Sequence, residues 1–109
     1  MSGSSTFFAG RSMSADLSCL SLDFETQLSS PKEDVVDRIK LGDALEVVLN
    51  TINGFSTVEV LWRGELAGGI ASPEIQTLQR CLADGVIYVA TVTDKSGGEI
   101  RIRISPYKP

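Results

Sequence analysis

The sequence predicts an α+β domain: a small, strongly curved antiparallel sheet or partly open β-barrel of about six strands with two helices, of the SH3-like or OB-like kind. Three observations carry that expectation. Short period-two hydrophobic runs recur between Leu45 and Ile104, separated by turn residues, which is how strands with one buried face read. Two Ser-Pro pairs, Ser30-Pro31 and Ser72-Pro73, interrupt the strand pattern as helix starts. The chain has 109 residues, 42% of them hydrophobic, which suffices for one core in one domain.

Residues Met1 to Ala15 are rich in Ser and Gly around an isolated Phe7-Phe8 pair. With neither a strand nor a helix period, they read as a disordered tail, and Met13 as a possible alternative start. The domain is then 16–109. Its first strand is the alternation Leu20, Leu22, Phe24 against Ser21, Asp23, Glu25, ending near Leu28. A short helix follows to about Ile39, with Ser30 as N-cap, Pro31 at the first helical position and Glu33 returning a bond to the cap. Val35, Val36 and Ile39 face inward.

Leu41-Gly42-Asp43 turns the chain into a strand at 44–51. Asn53-Gly54 is the strongest short hairpin signal, because a type I′ turn needs positive φ at both central residues, and it joins that strand to one at 56–62. Arg63-Gly64 leads into a third strand from Glu65 to Ile70, completing a meander. The second helix follows Ser72-Pro73-Glu74, with Ile75, Leu78 and Leu82 at helical spacing, and stops at Gly85. Val86 to Thr93 is apolar on both faces and reads as a central strand covered on both sides. Lys95-Ser96-Gly97-Gly98 then turns into the last strand, with Ile100, Ile102 and Ile104 inward and Arg101 and Arg103 outward.

The composition leaves little for catalysis. There is no histidine, the commonest acid, base and metal ligand. Cys81 lies late in a helix, where the dipole disfavours a thiolate, and Cys19 has no basic neighbour close in sequence. Both read as buried free thiols, since sequence alone does not bring them within bonding distance. The carboxylates Glu33, Asp34, Asp37, Asp43 and Glu46 cluster around a helix and a turn without a metal-binding motif. The Gly68-Gly69 pair lacks a phosphate-loop pattern and reads as a bend in the sheet. No catalytic residue, metal or cofactor is assigned. No stretch approaches the roughly 20 apolar residues of a membrane-spanning helix, and the expected compartment is the cytoplasm.

Charge is unevenly distributed around a formal net charge of -4. Residues 25–50 hold Lys32, Arg38 and Lys40 against six carboxylates, whereas from Asp94 onward Lys95, Arg101, Arg103 and Lys108 face only Asp94 and Glu99. Arg101 and Arg103 on one strand face, with Lys95 and Tyr107 near, could hold a nucleic-acid backbone or an acidic partner. Alternatively, the paired arginines protect a solvent-facing strand from unwanted pairing. Trp62, the only tryptophan, is a contact anchor if exposed with Phe55 and Tyr88, and otherwise a core residue.

The order of elements resembles the HIRAN family of small β-barrels, found alone in bacteria and fused to eukaryotic DNA-remodelling enzymes. Leu41-Gly42-Asp43 before a strand, Val58 to Val60, the run Gly64-Glu65-Leu66-Ala67-Gly68-Gly69-Ile70 and a helix ending at Gly85 carry the resemblance over about residues 40–90. It implies binding of single-stranded DNA or DNA ends. The family's N-P-x-D-x-x-A-I stretch is replaced here by Asn53-Gly54-Phe55-Ser56-Thr57-Val58, so no family binding residue carries over. From the residues themselves, the first expectation is a non-enzymatic binding or adaptor module working through protein contacts. The alternative is a nucleic-acid-binding barrel using Arg101, Arg103, Lys95, Trp62 and Tyr107.

Overall fold

In the computed structural model, which describes residues 18–108, eight elements follow a helical turn at 18–21. They are β1 (Phe24–Ser29), α1 (Glu33–Val36), β2 (Ala44–Ile52), β3 (Phe55–Trp62), β4 (Glu65–Ile70), α2 (Ile75–Ala83), β5 (Tyr88–Ser96) and β6 (Glu99–Pro106). The six strands are antiparallel to their neighbours and close into a ring in the order β1-β4-β3-β2-β5-β6. The predicted tail, with Phe7, Phe8 and Met13, lies outside the described residues.

Closure follows from the period of two. Ile100, Ile102 and Ile104 point inward from β6 and are completely buried, as are Leu45 of β2, Val60 of β3 and Ala90 of β5. Two irregularities bend the sheet so that these faces meet, one between Val60 and Leu61 opposite β4 and one between Val92 and Asp94 opposite β6. Where β4 meets β1 the backbones approach so closely that a Cβ on Gly68 would lie 2.7 Å from Ser29 O and 2.8 Å from Leu28 Cγ. Gly68 is therefore needed for this seam, where the space between two backbones, and not a turn or a phosphate, explains the residue.

The hairpin turns fall where the sequence puts them. Asn53 and Gly54 have φ of 53° and 82°, the type I′ signature, and β2 pairs with β3 without interruption from Glu46–Leu61 to Ile52–Phe55. α2 runs to Ala83, with Leu78 and Cys81 buried and Ile75 and Leu82 packed on the core margin.

Four expectations are corrected. Residues 18–21 form a helical turn and β1 starts only at Phe24, leaving Leu20 exposed. That turn also carries a bond that the sequence did not reveal: Cys19 and Cys81 are joined as a disulfide, with Cα atoms 5.6 Å apart, and neither is a free thiol. Both are buried, and the phenol of Tyr88 donates to Cys19 O at 2.6 Å beside them. Ser30 is not the cap of α1. It sits at φ 47°, Lys32 occupies the N-cap position without a side-chain bond, and the Lys32 N–H donates to Ala67 O of β4 at 2.8 Å. Finally, β5 is buried on one face only, through Tyr88, Ala90 and Val92. Val86 and Ile87 precede it, and Ile87 is exposed.

Candidate interaction surface

The residues picked out from the sequence do not form one site. Arg101 and Arg103 share the outer face of β6 as expected, but each meets a carboxylate, Glu25 of β1 and Asp23 just before it. Arg103 makes a two-pronged contact with Asp23, Nε to Oδ1 and Nη2 to Oδ2, both at 2.8 Å, and Arg101 Nη2 lies 3.4 Å from Glu25 Oε1. The guanidinium of Arg103 holds the Asp23 carboxyl below the usual carboxylate range. β6 lies antiparallel to β1 with Glu25 directly opposite Arg103 and Gln27 opposite Arg101, so both ion pairs run diagonally, each arginine reaching the carboxylate two residues before its direct partner. Cross-strand opposite charges are a stabilising unit of a solvated sheet face.

Lys95 is engaged elsewhere. Its ammonium donates to Ile39 O at 2.8 Å and to Asp37 O at 3.4 Å, satisfying carbonyls left over after α1. Trp62 is on β3, on the far side of the ring from β6. It is packed, not free: the Arg38 and Arg63 guanidinium carbons lie 5.0 and 4.8 Å from its ring centre, and its indole N–H donates to Asp43 Oδ2 at 3.2 Å. Arg38 is further held by Glu65 at 2.9 Å. Phe55 is exposed at the other end of β3 and Tyr88 is buried, so the three aromatics do not make a common anchor. Tyr107 is exposed, and its N–H donates to Ile87 O at 2.8 Å.

What the strand order does create is an open edge on β2. Its pairing with β5 covers only Ala44–Thr91, Leu45–Ala90 and Glu46–Val89, whereas its pairing with β3 continues to Ile52. A two-residue turn makes Ile52 and Phe55 a hydrogen-bonded pair. Pairs two residues apart along the ladder are bonded in the same way, so Leu49 and Thr51 aim their N–H and C=O away from β3. Among the described residues, no strand lies against that side of β2 beyond Glu46.

The opposite edge of the same hairpin is treated differently, because Gln79 of α2 reaches across to donate to Ser56 O at 2.9 Å. At the base of the open edge, where β5 diverges from β2, lies a groove of about 490 Å³ lined by Val47, Leu49, Leu82, Val86, Ile87 and Tyr88. At its far end Ile52 and Phe55 stand 60% and 78% exposed.

Sequence reasoning missed this surface, although one signal was present. Edge strands are ordinarily guarded by charge, proline or a bulge, and the segment Val48-Leu49-Asn50-Thr51-Ile52 has none of the first two and no irregularity in its pairing with β3. That it is an edge depends on where β5 diverges, which no local pattern encodes.

Among the described residues no group of three or more His, Cys, Asp or Glu is placed to hold a metal ion, and no helix is long and apolar enough to cross a membrane. No family model, curated protein or solved structure matches the chain, so its function is read from this geometry.

Proposed function

We propose that this protein is a non-enzymatic binding module that accepts an extended segment of polypeptide along the open edge of β2. The observation that carries the reading is the early end of the β2–β5 ladder at Glu46–Val89 while β2 runs on to Ile52. Strand addition uses this arrangement: backbone groups of Leu49 and Thr51 supply affinity, and flanking apolar surface selects side chains. Here that surface is the groove on one side and the Ile52–Phe55 tip on the other.

The nucleic-acid reading, with the HIRAN-like resemblance behind it, has less support. Binding to a phosphate backbone draws on cations free to displace counterions, and Arg101, Arg103 and Lys95 are occupied by Glu25, Asp23 and backbone carbonyls. The Cys19–Cys81 bond supports an oxidising compartment in place of the cytoplasm.

The test is an NMR titration with extended peptides selected from a displayed random library. Backbone shifts concentrated at residues 46–52 and 82–88 are expected, together with loss of binding in Thr51→Pro, which removes an edge N–H. Shifts on β6 instead, or salt-sensitive binding of labelled oligonucleotides abolished by Arg103→Ala, would overturn the reading.

A further inference from the structure

We propose that the strand accepted by the open edge of β2 is the same edge of a second copy, so that the protein is a two-fold symmetric dimer. The inference rests on the strand-addition reading above and names its occupant. Three observations lead to a second copy.

The first is register. Leu49 and Thr51 are the edge residues whose N–H and C=O both point outward. Two copies of β2 set antiparallel about a two-fold axis at Asn50 bring Leu49 of each opposite Thr51 of the other, so four backbone bonds form from these groups alone. A closed symmetric contact needs such a self-complementary patch.

The second is side-chain chemistry on the outer face. In this register Asn50 faces Asn50, and Val48 of each copy faces Ile52 of the other. None of these carries charge, in a chain with 22% charged residues. The exposed Ile52 thereby gains an apolar partner in half-buried Val48. Glu46, the nearest charged residue along β2, falls opposite the turn residue Gly54 and meets no like charge.

The third is the contrast between edges. Gln79 of α2 satisfies Ser56 O on the β3 edge of the hairpin, while on the β2 side the ladder with β5 ends at Glu46. The uncharged pentapeptide on that edge lacks the features that keep strands apart.

Sedimentation equilibrium of the full chain at about 200 µM, where a contact of micromolar Kd is filled, decides the matter. A dimer is expected. Asn50→Lys places two ammonium groups against each other on the axis and raises the dissociation constant about tenfold or more. A second variant carries Asn50→Asp, with Glu59→Gln so that the new carboxylate does not face Glu59, which Asn50 now contacts at 3.1 Å. It weakens in the same way, and mixing it with Asn50→Lys restores a heterodimer.

Circular dichroism melts establish that each variant is folded. A wild-type monomer at this concentration overturns the inference and leaves strand addition to be judged by the peptide titration. A dimer that neither Asn50 variant weakens, or whose variants do not recombine, places the contact on another surface and overturns it as well.

Discussion

The indole N–H of Trp62 donates to Asp43 Oδ2 at 3.2 Å, and the same oxygen accepts the Lys40 N–H at 2.9 Å. One carboxylate thus ties the end of β3 to the turn that enters β2. The Lys40 bond, and after it the indole and the nearby cations Arg63 and Lys40, hold the Asp43 carboxyl below the usual carboxylate range.

A group with a lowered folded pKa contributes stability above its unfolded value, and that contribution is lost as pH falls through the folded value. Trp62 emission is therefore expected to stay constant down to about pH 4, near the unfolded carboxylate value, and to shift to the red below it as Asp43 is protonated. Asp43→Ala should show the red-shifted emission at neutral pH. Emission that is indifferent to both would mean that the indole does not depend on this oxygen.

Reduction of the Cys19–Cys81 bond should lower stability substantially. The cysteines are 62 residues apart, and chain entropy assigns a crosslink of that span about 4 kcal/mol, a large part of the 5–15 kcal/mol that holds a typical domain together. Urea unfolding of the oxidised protein against Cys19→Ser with Cys81→Ser measures the difference. A change under about 1 kcal/mol would contradict the chain-entropy account.

The inner face of β6 is a test of core packing, because Ile100, Ile102 and Ile104 are all completely buried. Ile102 is fully buried and flanked by Thr26 of β1 and Val92 of β5. Ile102→Ala should cost about 2–5 kcal/mol and Ile102→Val about 0.5–1.5 kcal/mol. Equal losses from the two, measured by the same unfolding assay, would show that the site collapses around a cavity.

Gly68 and Gly69 make a matched pair of substitutions. A Cβ at Gly68 meets backbone at 2.7 Å, while one at Gly69 meets Val58 O at 3.4 Å. Gly68→Ala must push β4 away from β1, whose ladder consists only of Leu28–Ile70 and Ser29–Gly69, and should cost about 1–3 kcal/mol. Gly69→Ala should cost clearly less. Amide exchange at Leu28 and Ile70 reads the opening of the seam directly.

Local chemistry and the hairpins it makes are legible in this chain, whereas the pairings that close the ring, β1 with β4 and β6 and β2 with β5, are not. Asn53-Gly54 and Arg63-Gly64 made their turns, and the inward isoleucines of β6 followed from alternation alone. Ser30 looked like a cap until the tertiary bond from Lys32 to Ala67 moved the helix start past it. The two cysteines were unreadable as a pair because their approach depends on α2 and the turn at 18–21 meeting at one end of the ring. The arginine stripe is legible as a strand face but not as a set of ion pairs, since its carboxylates, Asp23 and Glu25, come from a segment distant in sequence. The open edge of β2 was hidden for the same reason.

The order in which the ring is assembled also has a consequence for synthesis. β1 leaves the ribosome first among the strands, yet its ladder with β6 runs through four consecutive pairs, Phe24–Ile104 to Gln27–Arg101, against two with β4. The earliest strand must wait for the latest before it has its main partner, and Cys19 must likewise stay unpaired until Cys81 emerges. Contacts this distant in sequence are slow to form. The sheet therefore stays unzipped until β6 has been made, and closure of the ring waits on that strand.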